Sequence, residues 1–185
     1  MEDRIIEIDG FNLNLEKYQN IVLNKKRVGI SDKALRNIQK SRVSLKKLIA
    51  SGKNIYGVNT GFGSLLNRKI RPEEERQLQV NLIRSHSAGF GKPLSEEKVR
   101  GIMLVRANSL CRGQSGCTVD AFFLIPLSKI SPSPIIASIM WDNGARSPLV
   151  QKIMDFLNSG ICPYVPEFGS VGSSGDLAPL SHIIA

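Results

Sequence analysis

The chain has 185 residues, is 42% apolar and 22% charged, and carries a formal net charge of +9; it is long enough to bury its own core. Cys111, Cys117 and Cys162 form no C-x-x-C pair and are odd in number, which argues against a disulfide framework or zinc ribbon and fits a reducing, cytoplasmic setting. The positive excess is local: Lys25 through Lys53 holds ten Lys/Arg against one acid, Asp32, with no aromatic among them, so it reads as a solvated helix face and no nucleic-acid partner is expected.

Met1-Glu2-Asp3-Arg4 offers no apolar h-region, so no signal peptide is expected. Ile5 to Asp9 alternates weakly and predicts a short strand ending at Asp9-Gly10. Leu15 to Leu23 predicts a short helix. Ser31 is placed to cap the next helix, whose stripe is Leu35, Ile38, Val43, Leu45, Leu48 and Ile49, with Gly52 at its end. A glycine-rich loop follows at 56–63. Pro72 before Glu73-Glu74-Glu75 predicts a helix start, because proline suits the first helical position and carboxylates suit the positive end of the dipole. That helix runs to about Ser87 and is stopped by Gly89 and Gly91. Ser95 with Glu96-Glu97 starts another, directed towards Cys111 and ending by Gly113.

Ala121 to Trp141 is apolar but broken by Pro126, Lys129, Pro132 and Pro134, a poor membrane span, and no membrane partner is expected. Ser147-Pro148 opens a helix to about Leu157, stopped by Ser159-Gly160. Cys162 to Pro166 reads as extended, Gly169 to Gly175 as a loop, and Asp176 to Ala185 as the first turns of a helix. The predicted fold class is mainly α with minor β near the N-terminus.

Gly169, Gly172 and Gly175 suggest a phosphate loop by spacing. No Lys-[Ser/Thr] follows, and no clear parallel strand precedes, so neither a Walker A loop nor a dinucleotide fingerprint fits. On residues alone, 169–176 is a capping loop with Asp176 or Ser174 as the N-cap. Tyr56 alone anchors a turn, Asn59 forms one, and His86 is a helix-surface or core histidine. The two histidines, nearly a hundred residues apart, and the scattered cysteines make no metal site.

The longer pattern says more. Val165 to His182, reading VPEFGSVGSSGDLAPLSH, closely resembles the signature of the histidine, phenylalanine and tyrosine ammonia-lyase family. Tyr56 to Gly63, Asn81 to Gly89, Arg106 to Leu110 and Gly113 to Gly116 also resemble family segments, in order. The resemblance implies the N-terminal portion of the ammonia-lyase (fumarase/aspartase-like) helical fold. It also implies a self-made electrophile, a 4-methylidene-imidazol-5-one (MIO), formed from Ser173-Ser174-Gly175 without external cofactor. Glycine at 175 lets its amide nitrogen approach the Ser173 carbonyl, and Ser174 at the centre loses its hydroxyl to become the methylidene. Serine stands at 173 where the family usually has alanine; its side chain is expected to project from the ring.

The resemblance further assigns Tyr56 as the catalytic base and His86 as the contact for a substrate imidazole, Ser85-His86 being the form typical of histidine ammonia-lyases. Asn59 becomes a substrate contact. Asp176, Leu177 and His182 become supports of the ring, while Arg106 and Asn108 are expected to be structural. The implied reaction is L-histidine to urocanate, with an aromatic 2,3-aminomutase as the neighbouring alternative. Family members form tetramers, so a homo-oligomer is expected. They also continue into a long helical part with no counterpart in these 185 residues, so a non-catalytic half that needs a complementary C-terminal chain is the other alternative. Residues 117–144 are expected to be an insertion.

Overall fold

The computed structural model describes residues 5–55, 58–60, 70–114, 149–169 and 177–184. Two small sheets and six helices make up this part, so the predicted mainly helical class holds. No helix of the described residues is long and apolar enough to cross a membrane.

Strand β1 (Ile6–Ile8) pairs in parallel with β2 (Val28–Ile30), Ile6 opposite Val28 and Ile8 opposite Ile30. Parallel neighbours need a crossover, here helix α1 (Leu15–Val22), capped by Asn14, whose side chain accepts from Lys17 N. Helix α2 (Asp32–Ala50) starts as predicted: Ser31 Oγ accepts from Ala34 N at 3.3 Å. Its stripe is only partly used. Ala34 and Leu45 are buried, but Val43 is 53% exposed and Leu48 42% exposed. Gly52 ends the helix region at φ +76°, a conformation open to glycine at little cost.

Helix α3 (Pro72–His86) begins on its proline. Helix α4 (Glu96–Cys111), capped by Ser95, is the centre of the molecule; Val99, Met103, Leu104, Ala107, Leu110 and Cys111 are all buried. Helices α1, α2 and α5 (Leu149–Ser159) pack on it. Val150, Ile153, Met154 and Leu157 of α5 are buried at the i, i+3, i+4, i+7 spacing of one helical face. Each such side chain contributes roughly 1.5–3 kcal/mol of apolar burial before entropy is counted.

Arg100 is buried among these groups, 2% exposed. Its guanidinium donates to Ile21 O at 2.8 Å, Val22 O at 3.3 Å and Leu157 O at 2.9 Å. It thus binds carbonyls near the C-terminal ends of α1 and α5, where backbone acceptors lack helical partners and the dipole favours a cation. Asn158 extends the same junction: it accepts from Val28 N and donates to Val28 O, both at 2.9 Å.

The second sheet lies outside the predicted N-terminal β. Strand β3 (Phe90–Pro93) pairs antiparallel with β4 (Pro166–Phe168), Phe90 opposite Phe168, with an irregular register towards Pro93. The Phe90 and Phe168 rings stand 5.3 Å apart. Helix α6 (Leu177–Ile184) follows and packs against α3.

Candidate active-site segments

His86 is the last residue of α3 and is half-buried. Ser85 Oγ lies 3.0 Å from His86 Nδ1, so the serine hydroxyl steadies the ring whichever way the proton lies. The helix is closed just beyond by Ser87, whose amide and hydroxyl both donate to Ile83 O.

His182, in the second turn of α6, reaches the same corner. Its Nε2 accepts from Gly89 N at 2.9 Å. An imidazole nitrogen that accepts carries no proton, so the neutral ring bears its proton on Nδ1. Gly89 is required here for space. A Cβ on it would lie 2.9 Å from His182 Nε2, 3.0 Å from Phe168 O and 3.0 Å from Pro166 Cγ. The structure therefore brings together the end of α3, the β3–β4 pair and α6, and with them the segments carrying His86 and His182.

Asn59 is buried, 4% exposed. Its Oδ1 accepts from Ile55 N at 2.7 Å and its Nδ2 donates to Lys53 O at 2.9 Å. Those bonds fold its own loop, the turn-forming use of an asparagine. Leu177 opens α6 and is 39% exposed. Tyr56, Ser173, Ser174, Gly175, Asp176 and the stretch 117–144 lie outside the described residues. Asn108 Oδ1 accepts from Gly10 N at 3.1 Å, a structural contact of the expected kind.

Among the described residues no group of three His, Cys, Asp or Glu is placed to hold a metal ion. Burial, reinforced by the charge of Asp9, pushes the Cys111 thiol up to about 12. Cys162 is exposed, and partial desolvation by its neighbours, with the charge of Glu96 adding to it, still raises it above the usual thiol range. Neither environment favours the thiolate that a nucleophile needs. Arg100, Asn158 and Gly89 escaped the sequence reading. Gly89 reads there only as a helix stop, since its partner His182 is 93 residues away.

The model of the aromatic amino acid lyase family matches residues 13–125 and 141–185, leaving 1–12 and 126–140 unmatched. The chain is 44% identical over 179 residues to a probable histidine ammonia-lyase of Thermoplasma volcanium, covering 97% of this chain and 30% of the relative. It is 40% identical over 181 residues to a histidine ammonia-lyase of Streptococcus pyogenes, covering 98% and 30%. The chain thus spans about 30% of the length of these curated relatives. Among solved structures it is similar to a histidine ammonia-lyase from Trypanosoma cruzi, with a TM-score of 0.69, 34% identity, and 97% and 29% coverage. It is also similar to the tyrosine aminomutase from Streptomyces globisporus, with a TM-score of 0.73, 30% identity, and 97% and 28% coverage.

Proposed function

The chain belongs to the aromatic amino acid lyase family, and from that membership we propose that it is the electrophile-bearing portion of a histidine ammonia-lyase, converting L-histidine to urocanate and ammonia. The observation that carries this reading is the pairing of a ring-forming tripeptide with the Ser85-His86 pair of the histidine-type members. The histidine ammonia-lyases among its relatives support the same substrate.

The tripeptide Ser173-Ser174-Gly175 has the groups that the MIO ring requires. The Gly175 nitrogen bonds to the Ser173 carbonyl carbon, and that carbonyl oxygen leaves as water with the amide hydrogens of Gly175 and Ser174, leaving a C=N bond to the Ser174 nitrogen. The Ser174 hydroxyl then leaves with the Cα hydrogen as a second water, giving the exocyclic methylidene. Once formed, the ring supplies an electron-poor alkene that activates the departing amine. His86, held by Ser85 at the end of α3, orients the substrate imidazole. Tyr56 removes the β-proton; a free phenol has a pKa near 10, so its site must favour phenolate. Asn59 folds its own loop through Lys53 and Ile55 and is available to the substrate only through donor or acceptor capacity left after those bonds. Asp176, Leu177 and His182 flank and support the ring. The working enzyme is a cytoplasmic homotetramer whose site is completed by a further helical part, and the insertion expected at 117–144 contains the stretch 126–140 that the family model leaves unmatched. A 2,3-aminomutase is the second reading, favoured by the likeness to the tyrosine aminomutase structure.

Peptide mass spectrometry across 169–177 tests the ring: loss of two waters is expected, and an unmodified Ser-Ser-Gly refutes it. Histidine-dependent urocanate absorbance, with and without a co-expressed C-terminal helical part, tests the reaction. A β-amino acid product in place of urocanate would make the protein an aminomutase. Ser174→Ala is expected to abolish both ring and product.

A further inference from the structure

Residues 170–176 connect β4 to α6, and the flanks of that segment meet at a single glycine. On the leading flank, a Cβ on Gly169 would lie 3.1 Å from Gly89 Cα and 3.0 Å from Ala178 Cβ. On the trailing flank, Ala178 is buried and His182 accepts the Gly89 amide proton at 2.9 Å. The contact depends on bare backbone at both glycines. A side chain at 89 or 169 would push apart the surfaces that bring the two flanks to one point.

We propose that His182 is a positioning residue for ring formation. By holding the Gly89 amide through Nε2, it keeps α6 against the end of β4 and holds Gly169 and Ala178 close together. The inference rests on Ser173-Ser174-Gly175 being the ring precursor. Cyclisation needs the Gly175 nitrogen within bonding reach of the Ser173 carbonyl carbon. A segment whose ends are already fixed close together loses less entropy in reaching that geometry than one with free ends. His182 takes no part in making or breaking bonds. Its contribution is the spacing, and it requires the Nε2 lone pair.

The full chain tests this directly. Water loss from the 169–177 peptide is followed over time after synthesis in wild type, His182→Leu and His182→Gln. Histidine ¹⁵N NMR on wild type reads which ring nitrogen of His182 carries the proton and whether the other is coupled to the Gly89 amide. Leucine removes the acceptor and is expected to slow ring formation about fivefold, the factor that corresponds to one net hydrogen bond. The glutamine amide oxygen can accept the same N–H, so His182→Gln is expected to recover most of the rate. Wild-type His182 is expected to be protonated on Nδ1, with Nε2 coupled to Gly89. Equal ring formation in wild type and a folded His182→Leu overturns the positioning role and leaves the ring reading intact. An unmodified tripeptide in wild type overturns the ring reading and the positioning role together. Should the leucine variant fail to fold, the NMR still decides: a wild-type ring that forms while Nε2 is protonated or uncoupled from Gly89 overturns the proposal.

Discussion

Helices α4 and α5 and helices α3 and α6 are held by different means. In the first pair, apolar side chains interlock around Met103, Leu104, Met154 and Leu157, and Arg100 ties the helix ends together. In the second, α6 buries only Ala178, Ser181 and Ile183 among its described side chains. Its junction with the end of α3 and the β3–β4 pair rests on glycine backbone and the His182 hydrogen bond. Side-chain area supplies stability; close backbone approach supplies position. Changes to the first pair should therefore appear in unfolding free energy, and changes around Gly89 mainly in the chemistry of the segment they flank.

Arg100→Met is the strongest test of that contrast. It removes three donors from carbonyls near the ends of α1 and α5, and unpaired buried acceptors cost about 1–3 kcal/mol each when water cannot replace the donor. A loss of about 3 kcal/mol is expected in urea denaturation, with the ring still formed in the folded fraction. A loss below about 1 kcal/mol would mean that the helix junction is held by apolar packing alone. Phe168→Ala comes next. It removes the exposed pairing with Phe90, at 5.3 Å between centroids, a contact of about 1 kcal/mol. Thermal unfolding should shift little, while the rate of ring formation falls, because β4 leads directly into the segment. The reverse pattern would erase the distinction between the two regions.

The smallest effect belongs to Asp9. The Phe11 amide, with help from the Asn12 amide, holds its carboxyl below the usual carboxylate range against a partial opposing effect of burial. A folded value below the unfolded one stabilises the protein above the unfolded pKa of about 3.9, and the gain is lost as pH falls through the folded value. Asp9→Asn keeps an acceptor oxygen and removes the charge. Wild type is expected to be slightly the more stable at pH 6, with the gap closing on acidification in denaturant titrations. A gap that persists at pH 2 would put the contribution elsewhere.

Most helix starts were legible because they are local. Ser31, Pro72 and Ser95 act within one turn of themselves. The β2, β3 and β4 strands were not, since three or four residues cannot display a period, and β3 reads Phe-Gly-Lys-Pro with every position exposed. Helix α2 misled in part: its apolar stripe is real, yet Val43 and Leu48 face outward. On the site, the tripeptide and the Ser85-His86 pair stand out by residue type and order. The turn-forming use of Asn59 is the one its residue type suggests, whereas the Gly89–His182 bond depends on geometry that residue type alone does not encode.

The Arg100 clamp also bears on the order of events in folding. Its acceptors lie 78, 79 and 57 residues away along the chain, so it can close only after α1, α4 and α5 have docked. Interactions formed after the transition state govern how fast a protein comes apart more than how fast it assembles. Arg100 is therefore expected to act as a brake on opening: its replacement should leave the folding rate nearly unchanged and let the helix junction release sooner.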